Sequence, residues 1–186
     1  MKIIKKINNN VALAQDENGR NLVTFGNGIG FPSMPYELND LSKIERTFYD
    51  VKKEHIRMFD DADEKVISIA VDIVDYARKH INKNIGDYLY YVLVDHINFA
   101  IERFKNNVYV PMKLSNDIKF NYDNEYQVGD WAWRYINSQF NINLPKDERS
   151  IIACILWNQK RVLINHKEKL VLKIYLIELL KLSVKI

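Results

Sequence analysis

Two hydrophobic periods divide the chain. Near its start, apolar and polar residues alternate in short runs, the period of a strand with one covered face. Ile3, Lys5 and Ile7 alternate with Lys2, Ile4 and Lys6, which predicts a first strand. Asn8-Asn9-Asn10 follows as a turn signal, because asparagine tolerates positive φ. Val11–Gln15 is expected as a second strand and Asn21–Phe25 as a third. Between them Asn18-Gly19 predicts a tight type I′ hairpin, in which both central residues take positive φ. Gly26, Gly28 and Gly30 then fall within five residues, so the backbone there bends sharply or approaches a partner closely. Pro32 and Pro35 mark a loop, and a fourth strand is expected over 46–51. A domain of about 50 residues buries little surface. Four short strands would leave one face bare, so dimerisation through that face is expected.

Beyond Asp60 the period becomes helical. Val66, Ile69, Ile73, Ala77 and Ile81 recur every three or four residues, an amphipathic helix starting near Asp61 or Asp63. A second helix is expected over 87–104. One of its stripes is Leu89, Val92, His96, Phe99 and Arg103, and another is Tyr90, Leu93, Ile97 and Ile101. A helix apolar on so many sides is buried. Residues 111–122 are less regular. Another helix covers 125–140, with Gly129, Trp133, Ile136 and Phe140 on one side. Pro145 ends the connection and Asp147-Glu148 opens the next helix, through Ile151, Ile152, Ile155 and Leu156. The fold class is therefore α+β. A four-stranded antiparallel sheet occupies residues 1–55, a bundle of four or five helices 60–158, and a basic tail 159–186.

Composition adds mainly exclusions. Apolar residues make up 47% of the 186, enough for a packed core. The single cysteine, Cys154, fits a reducing cytoplasm, and no Cys/His cluster has zinc spacing. The apolar stretch near the end is broken by Lys or Glu every few residues, against a membrane span. No nucleophile with a base, metal set or phosphate loop points to an enzyme or a cofactor. The formal net charge of +3 is too small to announce a nucleic-acid partner, so any such affinity must be local. Residues 159–186 hold seven Lys or Arg against Glu168 and Glu178. That segment suits an amphipathic helix packed on the bundle or an added attraction for RNA, and equally the by-product of a shortened or frameshifted gene.

Spacing alone favours modest roles for the polar residues. Residues 8–10 would be a turn, 26–30 a loop, Phe31 a core residue, and His96 a histidine bonded inside a buried helix. Their combination says more. Lys2-Ile3 with Lys5, Ile7-Asn8-Asn9-Asn10-Val11, Gly19, Leu22-Val23 and Gly26-x-Gly28-x-x-Phe31 closely resemble the RNA-binding domain of the BglG-type antiterminators. Asp95-His96-Ile97-Asn98-Phe99-Ala100-Ile101 resembles the histidine motif of the PTS-regulation domain that follows it in that family. Leu144-Pro145, Asp147-Glu148 and Ile152-Ala153 resemble that domain's last helix, so the resemblance runs over residues 1–158.

The resemblance implies a dimer whose β domains clasp an RNA hairpin in the leader of a sugar-use operon. Binding would hold the hairpin against a competing terminator, under control of phosphotransferase-system proteins that phosphorylate histidines. Neither DNA nor a membrane is an implied partner. Double-stranded RNA hides its base edges in a narrow major groove, so recognition uses the minor groove, 2′-hydroxyls, phosphates and unstacked bases. Asn10 suits base edges and 2′-hydroxyls. Lys5 suits a phosphate, Gly26 and Gly28 allow close backbone approach, and Phe31 offers a stacking face. Asn27 stands where the resembling proteins commonly carry arginine, so contact there lacks a positive charge. His96 is the implied phosphoacceptor, and Asp95 is expected to orient its ring or equally to bond a loop backbone. Ile155 holds the place of a further family histidine, which leaves regulation to His96 alone. Family members continue into a second PTS-regulation domain, whereas the resemblance here stops near Asn158. An alternative function follows from these departures: a protein-interaction remnant that pairs with or titrates full-length relatives without regulating RNA.

Overall fold

A computed structural model describes residues 1–49, 51, 59 and 62–161. They form two compact units, Met1–Ile67 and Ser68–Ile186. The basic tail expected from 159 onward lies, past residue 161, outside the described residues.

The first unit is an antiparallel sheet of five strands, β1 (Lys2–Lys6), β2 (Val11–Gln15), β3 (Asn21–Phe25), β4 (Tyr36–Glu37) and β5 (Arg46–Tyr49), in the order β4-β1-β2-β3-β5. The expectation of four strands is corrected by β4. It pairs Ile3 with Tyr36 and Lys2 with Glu37. A strand this short carries no period-two signal, and two prolines precede it. The strict alternation expected in β1 also fails. Its register against β2 shifts between Ile3 and Lys5, leaving Ile4 as the extra residue of a bulge. Unbroken alternation would turn Lys5 to the buried side of Ile3, whereas the bulge sets it opposite Leu13 and leaves it exposed.

Both hairpins depart from the positive-φ turns expected of them. In the first, no Asn of residues 8–10 has positive φ; the Asn8 side chain accepts the Asn10 N–H at 2.9 Å instead. In the second, only Gly19 has positive φ, at +79°. Asp16 Oδ1 accepts the N–H groups of Asn18 and Arg20, both at 2.9 Å, which stabilises a longer loop than the type I′ turn.

Among the described residues both sheet faces are buried. One face carries Ile3, Ala12, Ala14 and Leu22, covered by Ile29 and Leu38 from the chain that follows β3. The other carries Val11, Val23, Phe25 and Phe48, all buried. Phe25 meets Phe48 edge-on at 5.0 Å and Phe59 at 6.0 Å. On the first of these faces the cover comes from the chain itself, through Ile29 and Leu38.

The second unit is helical. Helices α1 (Glu64–His80), α2 (Tyr88–Lys105), α3 (Ser115–Asn121), α4 (Asp123–Phe140) and α5 (Glu148–Arg161) follow one another among the described residues. Asp63, one of the two expected starts, accepts the Lys65 N–H at 2.7 Å at the head of α1. The α1–α2 connection is tied by Arg78, whose guanidinium reaches the Ile85 carbonyl, the Asp87 carboxylate and the Tyr90 hydroxyl. Helix α3 lies in the stretch that lacked a regular pattern, and seven residues are too few to show one. Gly129 lets α4 meet α5 backbone to backbone: a Cβ there would stand 2.2 Å from the Arg149 carbonyl oxygen. Trp133 Nε1 donates to the Leu144 carbonyl at 3.0 Å, fixing the connection that leads into α5.

Candidate RNA-binding loops and a buried histidine cluster

The turn over residues 8–10 and the loop over 26–31 are laced together by backbone. Gly26 N–H donates to the Asn10 carbonyl and Gly30 N–H to the Asn9 carbonyl, both at 2.9 Å. Asn10 Oδ1 accepts the Gly28 N–H at 2.9 Å, and its amide donates to Glu64 Oε1 at 2.9 Å. Asn10 is exposed but engaged at both ends, so a ligand for its amide must replace Glu64. The glycines divide their labour. At Gly26 the place of a Cβ is filled by the Lys43 carbonyl, 2.0 Å away, so packing within the unit already requires that position to be free of a side chain. Gly28 has φ of +73°, and a Cβ on it would lie 3.2 Å from the Phe31 ring.

Phe31 is no core residue, being 70% exposed. Lys6, absent from the expected set, holds its Nζ 5.8 Å from the Phe31 ring centroid and donates to Asn9 Oδ1 at 2.8 Å. Asn27 is exposed beside them in the loop. The fold thus gathers Asn10, Gly26, Asn27, Gly28 and Phe31. Lys5 is exposed on the neighbouring strand, opposite Leu13, while Lys6 pairs opposite Ala12.

In the helical unit His96 lies on α2 with a side chain only 10% exposed. Its Nε2 stands 3.0 Å from Oε2 of Glu148, the first residue of α5. The contact is close but lacks good hydrogen-bond geometry. Glu148 Oε1 accepts from Arg103 at 2.5 Å, and both of these side chains are 5% exposed. The Arg103 guanidinium also lies 4.6 Å from the Phe99 ring centroid. Burial works to raise the Glu148 pKa, but His96 and Arg103 outweigh it and hold the carboxyl below its ordinary value of 4.5. Asp95, expected to orient the ring, is exposed, and the carboxylate beside His96 is that of Glu148. Ile155 is buried in α5.

Residues 1–57 match the CAT RNA binding domain family, and residues 71–158 match the PRD domain family. The chain belongs to the BglG-type antiterminator family. It is similar to the transcription antiterminator LicT of Bacillus subtilis, 32% identical over 85% of this chain and 58% of LicT. It is likewise similar to the beta-glucoside operon antiterminator of Dickeya chrysanthemi, 33% identical over 85% of this chain and 57% of that protein. The chain thus spans a little under three-fifths of these two relatives. The crystal structure of GlcT CAT-PRDI superposes with a TM-score of 0.71 at 25% identity, covering 88% of this chain and 99% of that one. Among the described residues no helix is long and apolar enough to cross a membrane.

Glu148 and Arg103 are the PRD residues that sequence reasoning left without a role. The signal was present, since His96 and Arg103 lie seven residues apart on one stripe of a buried helix. Buried cations need an anion, and the nearest acids of the closing helix are Asp147 and Glu148. A pH prediction follows. Because folding lowers the Glu148 pKa, its stabilisation is complete above the ordinary carboxylate value and is lost as pH falls through the lower folded one. Urea midpoints taken from pH 6 to pH 2 should fall with acid for the wild type. Glu148→Gln should fall less over the same range; equal slopes would sink the assignment.

Proposed function

We propose that this chain is an RNA-binding antiterminator that holds a structured leader-RNA hairpin against a terminator, as a cytoplasmic dimer, under phosphotransferase control at His96. The observation that carries the reading is the exposed surface of Asn10, Asn27 and Phe31 on two interlocked loops, beside the exposed lysines of β1, within a CAT RNA binding domain. Asn10 offers polar contacts, Phe31 a stacking face, and Lys5 and Lys6 charge for phosphates. Doubly negative charge on His96 would disturb an apolar contact between helical domains and loosen the pairing of the β domains.

Gel shifts of the full chain against leader hairpins from the source genome, at stated salt, test this. Asn10→Ala should weaken the cognate hairpin by about 1–3 kcal/mol, the scale of a good polar contact to a base. Lys5→Ala should weaken all RNAs alike and flatten the salt dependence. If neither change alters binding, the site lies elsewhere. The alternative, a chain that pairs with longer relatives without binding RNA, is favoured by the uncharged Asn27 and by Ile155. It would show as no shift with any hairpin alongside stable complexes with a full-length relative.

A further inference from the structure

His96 is poorly placed to accept anything as it stands. Its ring is nine-tenths covered, and the approach to Nε2 is taken by the Glu148 carboxylate at 3.0 Å. Arg103 and His96 together keep that carboxylate ionised. Phosphoryl transfer needs a free lone pair on the nucleophile and a roughly in-line approach, and a carboxylate at the acceptor atom denies both. The phosphoryl group, once on, would carry about −1.5 to −2 charges. It could not share this buried space with a second anion. Arg103 is the cation already at the cluster. Its planar fork can hold phosphate oxygens as well as a carboxylate.

We infer that Glu148 is the gate of His96 and Arg103 its phosphate receiver. This rests on His96 being the phosphoacceptor proposed above. Glu148 leaves Nε2, and the proton held there passes to water. The Nε2–P bond then forms as the donor's own bond to that phosphoryl group, on a phosphohistidine or a phosphoramidate, breaks and returns its electron pair to the donor. Arg103 passes from Glu148 to the phosphoryl oxygens. Glu148 is a positioning residue that sets how often the acceptor is open.

Two donors separate this inference from the reading beneath it. Phosphoramidate is a small phosphoryl donor that needs no docking surface; the purified phosphotransferase proteins with labelled phosphoenolpyruvate are the physiological kind. Labelling is read residue by residue by mass spectrometry, with the exposed His80 as internal reference. With phosphoramidate, Glu148→Gln should label His96 roughly tenfold faster than wild type, with the exposed His80 unchanged. Arg103→Lys should shorten the lifetime of phospho-His96 several-fold. If Glu148→Gln fails to fold, Glu148→Asp, with its carboxylate drawn back by a methylene, should label faster than wild type. Equal or slower labelling of His96 in the folded variant overturns the gate. No label from the phosphotransferase proteins, with phosphoramidate results as expected, overturns regulation at His96 instead and leaves the gate standing.

Discussion

Arg103→Met should destabilise the helical unit by about 3–5 kcal/mol, the cost of removing one partner from a buried ion pair. Methionine fills much of the same space, so the loss is electrostatic more than volumetric. Glu148 would keep His96 beside it but lose the 2.5 Å contact that occupies its other oxygen. The double variant Arg103→Met/Glu148→Leu should recover most of the stability, because replacing a whole buried pair with apolar side chains is often neutral or better. Urea unfolding of the four members of this cycle gives the coupling directly. A loss below about 1 kcal/mol for Arg103→Met, the range of exposed pairs, would show that water reaches the cluster.

Gly26→Ala should cost the β unit roughly 3 kcal/mol, the upper end for forcing extra atoms into a packed site. The new methyl would stand 2.0 Å from the Lys43 carbonyl and 3.1 Å from an Ile29 side-chain carbon, and a backbone oxygen cannot step aside as a flexible side chain would. RNA binding would then be lost through the scaffold, and the melting temperature of the β unit would fall with it. If Gly26→Ala instead binds RNA weakly while melting normally, the glycine faces the ligand and the packing argument is wrong.

Periodicity made most of the fold legible. Strands β2 and β3 and helices α1, α2, α4 and α5 are long enough to show their period, and each lies close to where the pattern put it. What escaped was short or non-local. Two residues of β4 and seven of α3 carry no period. The bulge at Ile4 interrupts an alternation that looks unbroken on paper. The hairpin at residues 16–20 was misread because Asp16, a neighbour of the Asn-Gly pair, supplies the bonds that choose the turn. At the candidate sites, the motifs identified the residues but not their partners. Asn10 engages Glu64 across 54 positions, and Arg103 meets Glu148 across 45. Such pairings depend on how elements pack, which a local pattern does not encode.

The missing side chain at Gly129 makes α4 and α5 a single mechanical part. With the Arg149 carbonyl seated where a Cβ would be, α5 cannot slide along α4 without driving backbone into backbone. Helix α4 is in turn coupled to α1: Trp131 lies flat on Tyr76 at 3.9 Å, and Tyr135 donates to Asp72 at 2.6 Å. A shift of the head of α5 would therefore press on α4 and, through the Trp131–Tyr76 stack, on α1. The indole of Trp131, stacked on Tyr76, would then sense a change at the far end of α5 as a change in its own surroundings.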